Sequence, residues 1–167
     1  MKAETVIGPV TIVEKDDRPY VGIRLSTPFG GMFAVATRAL KDLRAWNKAS
    51  GREGDGPYFL RYYHCDMTAI MEIEAGYVTG AAPLEHPRIK AGLLPGGRYA
   101  SLIYRGNGLR GNQALMKWGR DTGTAFEAID PTLAESYVCR YEAYLTDYRV
   151  EPRKLLWDVE FSIKLAA

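Results

Sequence analysis

The stretch GRYASLIY, residues 97–104, repeats RPYVGIRL, residues 18–25, after an interval of 79 positions. Each copy reads as a strand. The segments after the two copies also correspond. After the first, Met32, Ala36, Ala39, Leu40, Leu43 and Trp46 recur at helical spacing, with Lys41, Asp42, Arg44 and Lys48 between them and Gly51 as the stop. After the second, LRGNQALMKWGRDTG places Leu115 and Trp118 on one side of a helix that Gly123 ends. Two strand patterns close each copy: YFLRYYHC and IMEIEAGYV in the first, AESYVCRYEAYL and LLWDVEFSIKL in the second.

The chain therefore reads as an initial strand, ETVIGPVTIVE, and then β-α-β-β twice. The first half covers about 18–80, a Pro- and Gly-rich linker 81–96, and the second half 97–165. One helix per half buries too little to fold alone. The expected architecture is α+β: an antiparallel sheet with two helices on one face, pseudo-two-fold symmetry and a central cleft. Clefts of this kind are favoured ligand sites.

Composition narrows the function. With 167 residues and 47% hydrophobic residues, the chain suits a single domain with a proper core. A net charge of +2, with no run of five like charges, excludes a nucleic-acid footprint of the usual kind. No apolar run reaches the length of a membrane span, and MKAETVIGPV has no signal-peptide core, so a cytoplasmic protein with neither membrane nor direct nucleic-acid partner is expected. Cys65 and Cys139 have no metal or redox spacing, and His64 and His86 have no third ligand at zinc spacing; neither metal nor cofactor is expected. The GxGxxG match at Gly106, Gly108 and Gly111 sits in a β-α-β-β order rather than βαβ, so it reads as a strand-to-helix turn.

The informative feature is one acid. Read as a strand, residues 134–145 put Glu135, Tyr137, Cys139, Tyr141, Ala143 and Leu145 on an apolar face. With the same 79-residue offset, Tyr58 and Tyr62 match Tyr137 and Tyr141, whereas Glu135 matches Gly56. A residue that serves one ligand need occur only once. A carboxylate among tyrosines attracts lipophilic cations, each ring adding roughly 0.5–2 kcal/mol through cation–π contact. Burial could also raise its pKa and fit it for acid–base work. The alternative is a solvated strand end, or an ion pair with Arg98 or Arg140.

The second half resembles the GyrI-like small-molecule-binding domain, the effector-binding domain of multidrug-sensing bacterial regulators. The resemblance rests on Leu94, Pro95, Gly97, Tyr99, Ala100, Gly106, Trp118, Glu135 and Tyr137, and in the first half on Gly56, Pro57, Tyr63 and His64. It implies a tandem β-α-β-β fold whose buried glutamate, carried over to Glu135, meets cationic or planar aromatic ligands. The implied walls are Tyr62, Tyr104, Trp118, Tyr137 and Trp157, joined by Tyr141 and by Met32 and Phe33 at the first helix start. With the repeat filling the chain, a stand-alone member without a DNA-binding domain is expected.

Three functions fit that resemblance. The first is a binding protein for lipophilic aromatic or cationic compounds, its protein partner unspecified. The second is a hydrolase that opens cyclopropane rings of DNA-alkylating natural products, with Glu135 and Tyr137 as catalytic residues. The third is a DNA gyrase inhibitor, for which an acidic surface rather than +2 is expected.

Overall fold

The computed structural model describes residues 4–167 apart from 52–53, 66–67, 81–84 and 134. Short strands β1 (Val6–Ile7) and β2 (Thr11–Lys15) flank Pro9, which cannot donate to a ladder, and both pair antiparallel with the later strand Gly97–Arg105. The first half then runs β3 (Arg18–Pro28), α1 (Met32–Ala49), β4 (Tyr58–His64) and β5 (Ile70–Val78). After β6 (Ile89–Leu94) come the elements of the second half, β7 (Gly97–Arg105), α2 (Gly108–Thr122), β8 (Arg140–Tyr144) and β9 (Val159–Lys164). Among the described residues all nine strands form one antiparallel sheet, in the order β1-β7-β9-β8-β4-β5-β3-β6 with β2 also on β7.

Local chemistry sets the helices. The α1 stripe of Met32, Ala36, Ala39, Leu40 and Leu43 is buried, and Gly51 takes the left-handed φ of 70° just beyond its end. At the start of α2 the Asn107 side chain accepts from the backbone N–H groups of Leu109 and Arg110. Gly123 stops it at φ 65°. Gly111 lets α2 lie directly on the ring of Tyr104; a Cβ there would come within 2.6 Å of that ring.

Alternation then divides each strand between two cores. Val21, Ile23, Leu60, Tyr62, Ile73, Ala75, Leu102, Tyr104, Phe161 and Ile163 face the helices. On the opposite face Tyr20, Phe59, Leu94, Tyr99, Cys139, Tyr141 and Ala143 form a second, smaller core. Phe59 fits there because it lies over Gly76, and Tyr20 because it lies over Gly92. Arg61 braces this face. Its guanidinium donates to the carbonyls of Leu93 (2.9 Å) and Val138 (2.8 Å) and to the Tyr20 hydroxyl (3.1 Å). Tyr20 and Tyr63 in turn donate to buried Glu74 at 2.5 and 2.6 Å.

Three sequence expectations change. Residues 89–94, within the expected linker 81–96, form edge strand β6 on β3. The strand expected over 134–145 is confined to Arg140–Tyr144; before it the chain is irregular, and Glu135 adopts φ 61°. The repeat also does not keep one offset. The ladders match Tyr20 to Tyr99 and Ile73 to Val159, and these leave Leu60 matched to Glu142, not to Cys139. Loop length differs between the halves, and the register absorbs the difference strand by strand. Leu60 and Glu142 are also direct partners across the β4–β8 ladder, so the pseudo-two-fold axis passes between them.

No helix among the described residues is long and apolar enough to cross a membrane.

Candidate functional site

The corrected register moves the unmatched acid to Glu142. It faces the helices from the middle of the sheet, at 5% exposure, directly opposite its repeat counterpart Leu60. One oxygen accepts from the Tyr62 hydroxyl and the other from the Tyr104 hydroxyl at 2.8 Å. Tyr62 comes from β4 and Tyr104 from β7, so the two halves each supply one donor. No basic group lies within ion-pair distance of the carboxylate among the described residues. A buried carboxylate without a cation is expensive, and two hydroxyl donors offset only part of that cost.

The tyrosines record the same field. Burial, and then the Glu142 charge, push Tyr62 and Tyr104 above the ordinary phenol range, so both stay protonated as donors. Tyr144 is raised by the same two causes, partly countered by Arg44. Its hydroxyl is buried and has no hydrogen-bond partner among the described residues.

Next to this acid lies a cavity of about 350 Å³. Its aromatic walls are Tyr58, Tyr77, Tyr144, Tyr148 and Trp157. Tyr144 meets Trp157 edge-on at 5.5 Å, and Tyr58 lies 4.4 Å from Tyr77. The Trp157 indole is anchored by donating to the Glu151 carbonyl at 2.5 Å. Arg44 enters from α1, and Asp55, Asp147 and Arg149 rim the space. Glu142 sits two residues before Tyr144 on the same face of β8 and is not itself in the wall.

The residues expected in one site fall in several places. Trp157 lines the cavity, while Tyr62 and Tyr104 hold the buried acid. Tyr141 lies on the opposite face of the sheet, against Phe59 and Tyr99. Met32 is buried at the start of α1, Phe33 is exposed with Lys154 over its ring at 5.5 Å, and Trp118 packs half-buried against the core. Glu135 has a side chain 42% exposed, paired with Arg140 at 3.2 Å and accepting from Tyr137 at 2.8 Å. That is the ion pair with Arg140 weighed as the alternative, not a dry pocket. The Arg140–Glu135–Tyr137 group extends to Asn112 on α2 at 2.6 Å.

Sequence reading missed Glu142, Tyr144, Arg44 and Tyr58. A signal for the first two was present: the stretch contains Glu-x-Tyr twice, as Glu135-Ser136-Tyr137 and Glu142-Ala143-Tyr144. Every residue of β8 is buried, so alternation could not tell its two faces apart.

Comparison with known proteins places this geometry. The model of the GyrI-like small molecule binding domain matches residues 8–164. Among solved structures, the C-terminal domain of EcmrR shares 15% identity and a TM-score of 0.67, covering 95% of this chain and 98% of that one. In the EcmrR–DNA complex the chain spans 57% of the EcmrR protein. SAV2435, solved bound to tetraphenylphosphonium, matches at 8% identity and a TM-score of 0.63, with 95% and 94% of the two chains covered. A hydrolase from Listeria innocua matches at 9% identity and a TM-score of 0.60, with 99% and 93% covered. At such identities the likeness is one of fold. No match was found among curated proteins. Matched along nearly its whole length, the chain belongs to the GyrI-like small-molecule-binding domain family.

Proposed function

We propose that the chain binds lipophilic cationic or planar aromatic small molecules in the cavity walled by Tyr58, Tyr144 and Trp157, with Glu142 as the buried acid. The observation that carries this reading is a carboxylate held without a cation beside an aromatic cavity. A lipophilic cation entering there gains stacking with the rings and the attraction of a charge that water does not screen. Tetraphenylphosphonium, the ligand of SAV2435, is the natural first probe.

Trp157 lies in the wall, so its fluorescence should report binding. Titration with tetraphenylphosphonium should quench it. Glu142→Gln should weaken binding by about tenfold, the scale of one charge-assisted contact. Glu135→Gln should leave the affinity within a factor of two. Equal affinity in wild type and Glu142→Gln would remove Glu142 from the site.

An enzymatic reading draws on the Tyr144 hydroxyl, which is buried without a hydrogen-bond partner among the described residues and would serve as donor to a substrate carbonyl brought against it. In the cyclopropane-opening reaction it would polarise the conjugated carbonyl while water adds to a ring carbon, the ring C–C bond breaks with its electron pair passing to that carbonyl, and water's proton is lost to solvent. Product formation from a cyclopropane-bearing alkylator, lost in Tyr144→Phe with binding retained, would establish it; unchanged turnover in that variant would exclude Tyr144 from the chemistry.

A further inference from the structure

The cavity holds a second charge whose needs are unmet, and it has the opposite sign. Arg44 reaches in from α1 with its guanidinium 4.1 Å from the Tyr148 ring centre, 5.5 Å from Tyr58 and 5.8 Å from Trp157. Its Nε is buried and has no hydrogen-bond partner among the described residues. No carboxylate lies within ion-pair distance of it among the described residues. The acids that rim the same space are committed elsewhere: Asp55 accepts from the Thr79 hydroxyl at 2.6 Å, and Asp147 is chelated by Arg149 at 2.9 Å. Tyr144, whose buried hydroxyl has no hydrogen-bond partner among the described residues, lines the same cavity. A guanidinium has five donors in a planar fork and suits a carboxylate or sulfonate in bidentate contact. The aromatic faces already bear this cation, so the outer seat is set for the opposite charge.

We propose that the cavity selects aromatic molecules bearing an anionic substituent, the rings seated against Tyr58, Tyr144 and Trp157 and the anion on the Arg44 guanidinium. This rests on the small-molecule-binding role proposed for the cavity and concerns the planar aromatic ligands proposed there, among which the Arg44 cation favours anionic members over neutral ones. Tyr144 feels both charges, Glu142 raising its pKa and Arg44 lowering it, so the free hydroxyl stands in the field of each. An aromatic acid with a hydrogen-bond donor on its far edge would use both.

Calorimetric titration with 2-naphthoate and with its neutral isostere 2-naphthamide tests this, with tetraphenylphosphonium run in parallel. Wild type should prefer the naphthoate by about tenfold. In Arg44→Met, which keeps the side-chain stem over the rings, that preference should vanish while naphthamide affinity holds within about threefold. Arg44→Lys should keep a reduced preference, because a point charge remains without the fork. Naphthamide binding as well as naphthoate in wild type, or an undiminished preference in Arg44→Met, would overturn the proposal. Tetraphenylphosphonium binding without any naphthoate binding would overturn it while leaving the broader binding role intact. Failure of all three probes would overturn both.

Discussion

Replacing Glu142 by its repeat counterpart, Glu142→Leu, separates the acid's cost to the fold from its use. Burying a carboxylate costs several kcal/mol even after relaxation. The Tyr62 and Tyr104 hydroxyls return about 1.5–3 kcal/mol each as hydrogen bonds to a charged group. Leucine removes the charge but leaves two buried hydroxyls unpaired, at about 1–3 kcal/mol each. With the acid's cost and its two hydrogen bonds nearly cancelling, Glu142→Leu alone should therefore lose about 2–6 kcal/mol, the two stranded hydroxyls together. Adding Tyr62→Phe and Tyr104→Phe removes the stranded hydroxyls and leaves an apolar patch around Leu60. The triple variant should exceed wild type by about 1–4 kcal/mol, the range found when buried ionic groups give way to packed apolar ones. For a chain of this length each kcal/mol moves Tm by about 2–4 °C. Urea unfolding followed by tryptophan fluorescence measures both. The triple variant should also lose tetraphenylphosphonium binding. A Glu142→Leu variant more stable than wild type, with nothing gained from the two Phe substitutions, would refute the reasoning, because the hydroxyls would then owe nothing to the acid.

Gly111→Ala gains up to about 1 kcal/mol of helix propensity but drives a Cβ into the Tyr104 ring, at about 1–3 kcal/mol; net destabilisation and weaker tetraphenylphosphonium binding are expected, by thermal melting and titration. Arg61→Leu strips donors from the Leu93 and Val138 carbonyls and should cost about 3 kcal/mol in urea unfolding, with ligand affinity unchanged because Arg61 serves the opposite face. Burial pushes the Cys65 thiol up from 9.0 to about 11, only partly opposed by Arg140. The unfolded thiol ionises first, so Cys65 contributes fully below pH 9 and its contribution of about 2–3 kcal/mol is lost as pH rises towards 11. Cys65→Ala should flatten the stability decline over that window, and native Cys65 should resist iodoacetamide at pH 8 until the protein is unfolded.

Most of the architecture was legible because most strands have one face on the helices and a different one beneath. Met71, Ile73, Ala75 and Tyr77 alternate with Glu72 and Glu74 in residue type, which made β5 readable even though Glu74 is itself buried. The stripe from Met32 to Leu43 likewise announced α1. Legibility failed where burial was uniform or turn residues crowded a strand. β8 is buried on both sides, so its faces could not be ranked, and a tyrosine-rich segment with two Glu-x-Tyr steps was read seven residues early. β6 was hidden by the prolines and glycines around it, although its edge position on β3 tolerates them. The sequence reading took Glu135 as the unmatched acid; the ladder register, which loops of unequal length conceal, is what pairs Leu60 with Glu142.

The axis between Leu60 and Glu142 bears on why this domain is one continuous chain. Directly opposed residues on one sheet face lie about 5 Å apart. A homodimer made from either half alone would have to present two identical side chains there. Two glutamates would repel each other in a dry interior, and two leucines would leave no charge at all. Covalent tandem linkage is what lets a single carboxylate occupy the centre of a nearly symmetric molecule.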